Sequence, residues 1–404
     1  MKKKFLSLFL AIFLTLATIL SALAATPEEE YERFYDPFAD DLETTAPLGL
    51  TVDVPFAILM EKQTGTVIFE QDADTQTQPA SITKIMTMLL TIEELESGRL
   101  NLSDMVTTSA YAASMGGSQI FLEEGEQMTV EDMLKSVVIS SANDASVALA
   151  EHISGTEEAF VARMNERANE LGMTNTVFIN STGLPGEGMD NLTTARDIAI
   201  MSRAVIAHDM VKNFSTIWMD TVRNGEFGLT NTNRLIYYFD GATGLKTGFT
   251  QEAMYCLAAT AERDGVEFIA VVLHGQTSDG RFDAAKTLLN YAFANYTLFD
   301  LRAEEVLPPV RVSLGTVDSV QPVLAGEGQI LLNKTAASTV RQEVSLAEEL
   351  TAPVSPGQSI GTLTVFDGDT VIAAIPIVAA DEVEKISIFG AFTKFLGLLL
   401  GGGL

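Results

Sequence analysis

Gln78-Pro79-Ala80-Ser81-Ile82-Thr83-Lys84-Ile85-Met86-Thr87-Met88-Leu89-Leu90 is the stretch whose reading decides the fold. Pro79 fits only where no intrahelical N–H is required, and Ile82, Ile85, Met86, Leu89 and Leu90 recur at helical spacing, so a helix with a buried face is expected from about Ser81. Residues three apart on a helix are neighbours, which sets the Ser81 hydroxyl beside the Lys84 amine. A serine hydroxyl becomes a nucleophile when a base takes its proton, and a lysine is such a base once its surroundings make it neutral. A helix N-terminus adds N–H groups and a positive dipole end that favour an oxyanion. Ser-x-x-Lys alone is equally the pattern of a solvated helix face, so its company decides.

That company is specific. Val137-Val138-Ile139-Ser140-Ser141-Ala142-Asn143-Asp144 places Ser141-x-Asn143 after an apolar helix, and Gly244-Leu245-Lys246-Thr247-Gly248-Phe249 places Lys-Thr-Gly in a strand-like segment. Each motif occurs once, in the order Ser-x-x-Lys, Ser-x-Asn, Lys-Thr-Gly. The set resembles the serine penicillin-recognising enzymes. Phe178-Ile179-Asn180-Ser181-Thr182-Gly183-Leu184-Pro185, Thr193-Thr194-Ala195-Arg196-Asp197 and Asn231-Thr232-Asn233-Arg234-Leu235 narrow the resemblance to the low-molecular-weight penicillin-binding proteins that are D-alanyl-D-alanine carboxypeptidases. The match runs over most of the chain. Ala142 stands where many members have glycine, and Phe249 follows Lys-Thr-Gly where some carry histidine.

The resemblance implies a role for each matched position. Ser81 attacks the carbonyl between the two terminal D-alanines of a peptidoglycan stem peptide, with Lys84 as general base and Ser141 relaying the proton to the leaving amine. Asn143 holds Lys84 and the substrate amide, and Lys246 lends a positive potential that keeps Lys84 unprotonated. The N–H groups of Ser81 and Phe249, the latter just past Gly248, form the oxyanion hole. Thr247 and Arg281, in Asp279-Gly280-Arg281-Phe282, hold the terminal carboxylate. β-Lactam antibiotics are implied as inhibitors, and no metal or organic cofactor is implied. Two other enzymes share these residues: an endopeptidase that cuts wall cross-links, and a β-lactamase, which needs a further carboxylate for which Glu187 and Asp190 are the positional candidates. A wall-binding module without activity requires a lost motif residue, and none is lost.

The ends of the chain have their own character. Met1-Lys2-Lys3-Lys4, an apolar run from Phe5 to Leu20 and Ala22-Leu23-Ala24 describe a secretory signal peptide over 1–24. The alternative is an N-terminal membrane anchor. Residues 25–48 form an acidic lead-in. The body is a serine peptidase domain over 49–299, and a valine-, threonine- and glycine-rich region of short alternating runs over 300–384 is an all-β domain. In 385–404, Ile388, Phe392, Phe395, Leu396 and Leu399 share a helical face beside Lys385 and Lys394, the pattern of an amphipathic helix on a membrane surface; the alternative is a helix packed on the β domain.

With 404 residues, 47% of them hydrophobic, the chain has core enough for two or three domains, and its net charge of −29 repels nucleic acid. Cys256 is the single cysteine and has no internal disulfide partner. His152, His208 and His274 lack metal-ligand spacing. Phe56–Met60 and Thr66–Glu70 flank Lys62-Gln63-Thr64-Gly65 as a hairpin. Helical patterns follow from about Met105 to Ile206, then strands at Gly244–Thr250, Tyr255–Ala261 and Val266–Leu273 and a helix from Arg281 to Phe293. The fold class is therefore α+β: an antiparallel sheet with helices and a separate helical lobe, the site between them, and then the all-β domain.

Overall fold

The computed structural model describes residues 49–186, 188–301, 307–325 and 328–399. The signal peptide expected over 1–24, the expected acidic lead-in and Glu187 lie outside those residues. Strands β1 (Phe56–Glu61) and β2 (Val67–Gln71) form the N-terminal hairpin. Far along the chain, β7 (Ala242–Thr250), β8 (Met254–Arg263) and β9 (Val266–Gly275) form a meander. The small hairpins β3 (Met105–Thr107) with β4 (Gln127–Thr129) and β5 (Met219–Val222) with β6 (Phe227–Thr230) lie between them. The main sheet is antiparallel in the order β2-β1-β9-β8-β7, so β1 joins the two ends of the unit by pairing with β9.

Alternation along these strands divides the core. Ile58, Met60, Ile269, Val271 and Leu273 face the helical lobe, while Ala57, Leu59, Phe268, Ala270 and Val272 face the other layer. The lobe is built from α1 (Lys84–Glu96), a short α2 (Ala110–Ala113), α3 (Val130–Ser140), α4 (Asn143–Ser154), α5 (Glu157–Glu170), α6 (Ala195–Ile206) and two single turns, α7 (Lys212–Ser215) and α8 (Leu235–Tyr238). The other layer is α9 (Ser278–Asn295), which buries Phe282, Ala285, Leu288 and Leu289. Helix α1 packs against α3, α4, α5 and α6 and is buried nearly all round. That is more than the one buried face read from its spacing, and it makes α1 the axis of the lobe.

Strand β10 (Tyr296–Asp300) leaves α9 directly and pairs with β14 (Gln329–Asn333). A three-stranded sheet, β12 (Ser319–Val320), β11 (Val310–Ser313) and β16 (Glu349–Thr351), and a four-stranded sheet, β13 (Pro322–Leu324), β18 (Thr370–Ala379), β17 (Ser359–Asp367) and β15 (Val340–Leu346), enclose a separate core around Val354, Leu363, Val365 and Ile377. Helix α10 (Ile388–Leu399) comes after the last strand.

Two expectations need correction. Ser81 lies in a 3-10 turn, Ala80–Thr83, and the α-helix starts at Lys84. Residues three apart eclipse in a 3-10 turn, so the Ser81–Lys84 contact survives the change of geometry. The stretch from Met105 to Ile206 is also not helical throughout, because β3 and β4 interrupt it; three residues are too few to set up a legible alternation.

Candidate active site

The site begins with the turn that carries Ser81. Two other segments press on that turn closely enough to require glycine. Gly183, at φ +81°, lies where a Cβ would come within 1.8 Å of the Ala80 carbonyl oxygen, and a Cβ on Gly248 of β7 would meet the Pro79 oxygen at 2.7 Å. The loop 178–185 and the edge strand β7 therefore close on the Ser81 turn from two sides.

Lys84 points into the space between them. Its Nζ lies 3.1 Å from Ser81 Oγ, 2.6 Å from Asn143 Oδ1 and 2.7 Å from the Thr182 carbonyl oxygen, and the side chain is wholly buried. Burial, with the positive charge of Lys246 second and partly offset by Asp144, holds the amine well below the ordinary lysine range. Lys246 is buried as well, donates to the Thr247 carbonyl at 2.9 Å, and is brought down to about 7 by burial and then by the charge of Arg281.

Ser141 and Asn143 reach the site through a sharp junction. Helix α3 ends at Ser141 in the left-handed conformation, φ +63°, a geometry that costs a non-glycine residue energy and recurs at functional sites. Asn143 then opens α4, donating its backbone N–H to Ser118 O at 2.7 Å and its side-chain Nδ2 to Gly116 O at 2.7 Å. The Asp144 carboxylate accepts backbone N–H groups of Ile120, Leu122 and Ala145 and so pins the 116–122 loop to this junction.

Arg281, in the first turns of α9, supplies a buried cation. Its Nη1 donates to the carbonyls of Gly248 and Cys256 at 2.9 and 3.2 Å, and its Nε is buried without a partner among the described residues. Burial lowers it only to about 10, so it stays charged at neutral pH, and it forms no ion pair with a described carboxylate. Thr247 Oγ1 donates to Thr232 Oγ1 at 2.7 Å, and the half-exposed Phe249 stacks on Tyr255 with ring centroids 4.5 Å apart.

Ser81, Lys84, Asn143, Lys246 and Arg281 are thus joined by contacts or charge coupling, and Ser141, Thr247, Gly248 and Phe249 flank them in the chain. Sequence reasoning assigned no role to three groups that shape the site. The Thr182 carbonyl accepts from Lys84, and Glu157 accepts from Ser181 N and Oγ and from the Tyr111 hydroxyl, which burial and then this carboxylate push up to about 12. Asn191 ties Thr83 to the 178–185 loop. Asp190 accepts from Gly186 N within its own loop and, at 3.4 Å, from Nε2 of Gln78, in the segment that leads into the Ser81 turn. Cys256 is a buried β8 residue whose thiol burial pushes up to about 11. Among the described residues no cluster of His, Cys, Asp and Glu is placed to hold a metal ion.

A buried lysine beside a serine on a tight turn, a second lysine on the adjoining edge strand and an arginine with no carboxylate partner among the described residues define a penicillin-recognising serine hydrolase. The chain belongs to the D-alanyl-D-alanine carboxypeptidase family, whose sequence profile matches residues 42–277, while a profile of the penicillin-binding protein 5 C-terminal domain matches residues 300–385. It is 40% identical over 350 residues to D-alanyl-D-alanine carboxypeptidase DacF of Bacillus subtilis, a match spanning 85% of this chain and 88% of the relative. Penicillin-binding protein 5 of Haemophilus influenzae superimposes with a TM-score of 0.77 at 30% identity, over 84% of this chain and all of that one. Penicillin-binding protein D2 of Listeria monocytogenes, solved with ampicillin bound, superimposes with a TM-score of 0.54 at 30% identity, over 60% of this chain and 99% of that one. The protein is a serine peptidase of the carboxypeptidase class.

Proposed function

We propose that the protein removes the terminal D-alanine from peptidoglycan stem pentapeptides through an acyl-enzyme on Ser81, and that penicillins acylate the same oxygen. The observation that carries this is the Lys84 amine, wholly buried and 3.1 Å from Ser81 Oγ. Neutral Lys84 takes the hydroxyl proton as Oγ attacks the carbonyl carbon, and the N–H groups of Ser81 and Phe249 receive the oxyanion. The C–N bond then breaks, the proton passes by way of Ser141 to the departing amine, and water hydrolyses the ester. Arg281 and Thr247 hold the substrate's terminal carboxylate; a buried guanidinium with a free N–H suits that anion.

The sequence supports export by the signal peptide over 1–24, then the acidic lead-in 25–48, the catalytic domain 49–299, the β domain 300–384 and a peripheral anchor in 385–404 on the outer face of the cytoplasmic membrane. Among the described residues no helix is long and apolar enough to cross a membrane, and Ile388, Phe389 and Phe392 of α10 are exposed, as an interfacial helix requires. Mass spectrometry of a pentapeptide after incubation with the purified protein tests the reaction. Loss of a single alanine, together with a penicillin adduct absent from Ser81→Ala, is the expected result; an adduct that persists in Ser81→Ala overturns the assignment of the nucleophile. Cleavage of a cross-linked dimer while the pentapeptide is left intact would favour the endopeptidase.

A further inference from the structure

The hairpin between β11 and β12 turns at 314–318, and its tip is apolar where solvent favours polar residues. Leu314 and Val317 are 57% and 50% exposed. Leu314 also sits at φ +57°, a left-handed conformation that an L side chain adopts at a cost. Between them, Gly315 is packed down so tightly that a Cβ would meet Val317 O at 2.6 Å and Val383 Cγ1 at 2.8 Å. The fold thus accepts strain and close packing at a tip whose exposed side chains serve no core.

The tip is tied to the start of α10. Ile386 N donates to Leu314 O at 2.8 Å, Thr316 N donates to Glu384 O at 2.9 Å, and Gly315 forms a β-bridge with Lys385. Helix α10 begins at Ile388, and its first turns expose Ile388, Phe389 and Phe392. Two apolar elements far apart in sequence are therefore fixed side by side at one end of the β domain.

We propose that the 314–318 tip is a second membrane-contacting element, entering the headgroup and acyl boundary beside α10, so that the β domain meets a lipid surface at two points. This rests on the reading of α10 as an interfacial helix. Lipid is the occupant argued for because the tip adjoins the aromatic turns of α10, and because exposed Arg311 and Lys385 flank it where headgroup phosphates would lie. Asp318, Glu382 and Glu384 stand nearby and offset those cations, so apolar insertion carries the contact and added salt weakens it little. A single helix leaves the domain free to rock about its attachment. A second contact fixes the orientation in which the β domain stands on the bilayer.

The test uses the full mature chain and vesicles of phosphatidylcholine with a minority of phosphatidylglycerol. Val317→Cys carrying an environment-sensitive fluorophore is the probe, and buried Cys256 stays unlabelled in the native fold. On vesicles its emission is expected to shift blue and to be quenched by nitroxide lipid, while the same label at Val344→Cys on β15 is unchanged. Leu314→Asp with Val317→Asp is expected to lower vesicle partition about tenfold or more, since two apolar groups become charged. Leu314→Gly, which suits the positive φ and so preserves the turn, is expected to lower it by a smaller factor. Unshifted emission on vesicle-bound protein, or unchanged partition in these variants, overturns the inference while leaving the anchor helix standing. If the variants lose self-association instead, the tip faces another copy and the inference falls. Vesicle binding left undiminished by deletion of 386–404 overturns the anchor reading, and this inference with it.

Discussion

The Lys84 amine has a proton inventory that its neighbours fix. In the neutral form its two N–H bonds serve Asn143 Oδ1 and the Thr182 carbonyl, which leaves the lone pair for the Ser81 hydroxyl; in the protonated form it donates to all three and cannot act as a base. Acylation by penicillin should therefore rise with pH as Lys84 loses its proton, well below the ordinary lysine range. It should fall again through about 7 as the free enzyme loses the Lys246 charge. In Lys246→Ala the alkaline limb should vanish and acylation weaken, while the acid limb moves to higher pH because one cause of the Lys84 depression is gone. Stopped-flow acylation across pH measures this, and an unmoved acid limb would leave burial as the whole cause. Arg281→Ala should slow turnover of a peptide with a free terminal carboxylate by about 1.5 to 3 kcal/mol in transition-state binding, the range for a hydrogen bond to a charged group, and affect the same peptide amidated at its end far less. Equal losses in kcat/KM for the two peptides would make Arg281 structural. Ser81, Lys84, Ser141, Asn143 and Lys246 could be singled out in the sequence as candidates because side chains write the motifs. The Thr182 carbonyl was not, because a backbone acceptor leaves no residue type to read, and Glu157 after Thr156 looks like any helix start.

Among the elements, the Ser81 turn is held by two close approaches, and the glycines that permit them separate packing from backbone strain. Gly183→Ala adds a Cβ 1.8 Å from the Ala80 oxygen at positive φ, so either the 178–185 loop or the Ser81 turn has to move. Since the same loop carries the Thr182 acceptor, acylation should fall tenfold or more, by a rough conversion of a barrier change above about 1.4 kcal/mol. Gly265→Ala has a similar φ, +79°, but meets nothing within 4 Å. It should cost only about 1 kcal/mol of stability, the penalty of the left-handed conformation, with acylation unchanged. Thermal melts and penicillin acylation of the two variants make the comparison; equal activity in both would show that the loop gives way without disturbing Ser81. The long elements were legible for the same reason that they are rigid. Tyr255–Ala261 and Val266–Leu273 lie inside β8 and β9, and Arg281–Phe293 lies inside α9, each an apolar run long enough to declare its period. The three-residue strands β3 and β4 were not, and the burial of α1 on all sides comes from neighbours that its own sequence does not name.

At the scale of the whole molecule, the pairing of β1 with β9 brings the first strand of the catalytic unit against its last, a choice that alternation cannot reveal because either partner satisfies the pattern. The order of composition along the chain was more telling, since the shift near residue 300 marks a second core that shares none of its buried residues with the first. Strand β10 straddles 299 and 300 and pairs with β14, which ties the two regions through a short sheet. Helix α10 opens with exposed side chains. It starts after the last strand, and its exposed Ile388, Phe389 and Phe392 belong to none of the three buried clusters. Deleting 386–404 should therefore release the processed protein from membranes and leave hydrolysis of a soluble peptide nearly unchanged. Burial of such side chains in the acyl boundary contributes roughly 1.5 to 3 kcal/mol each as an upper figure, enough for reversible anchoring against the repulsion of a strongly acidic body from anionic lipid. Sedimentation of membranes and a peptide assay on the same sample read both quantities at once. A truncated protein that still sediments would place the anchor at the uncleaved N-terminus, and one released but unfolded would make the helix part of the core.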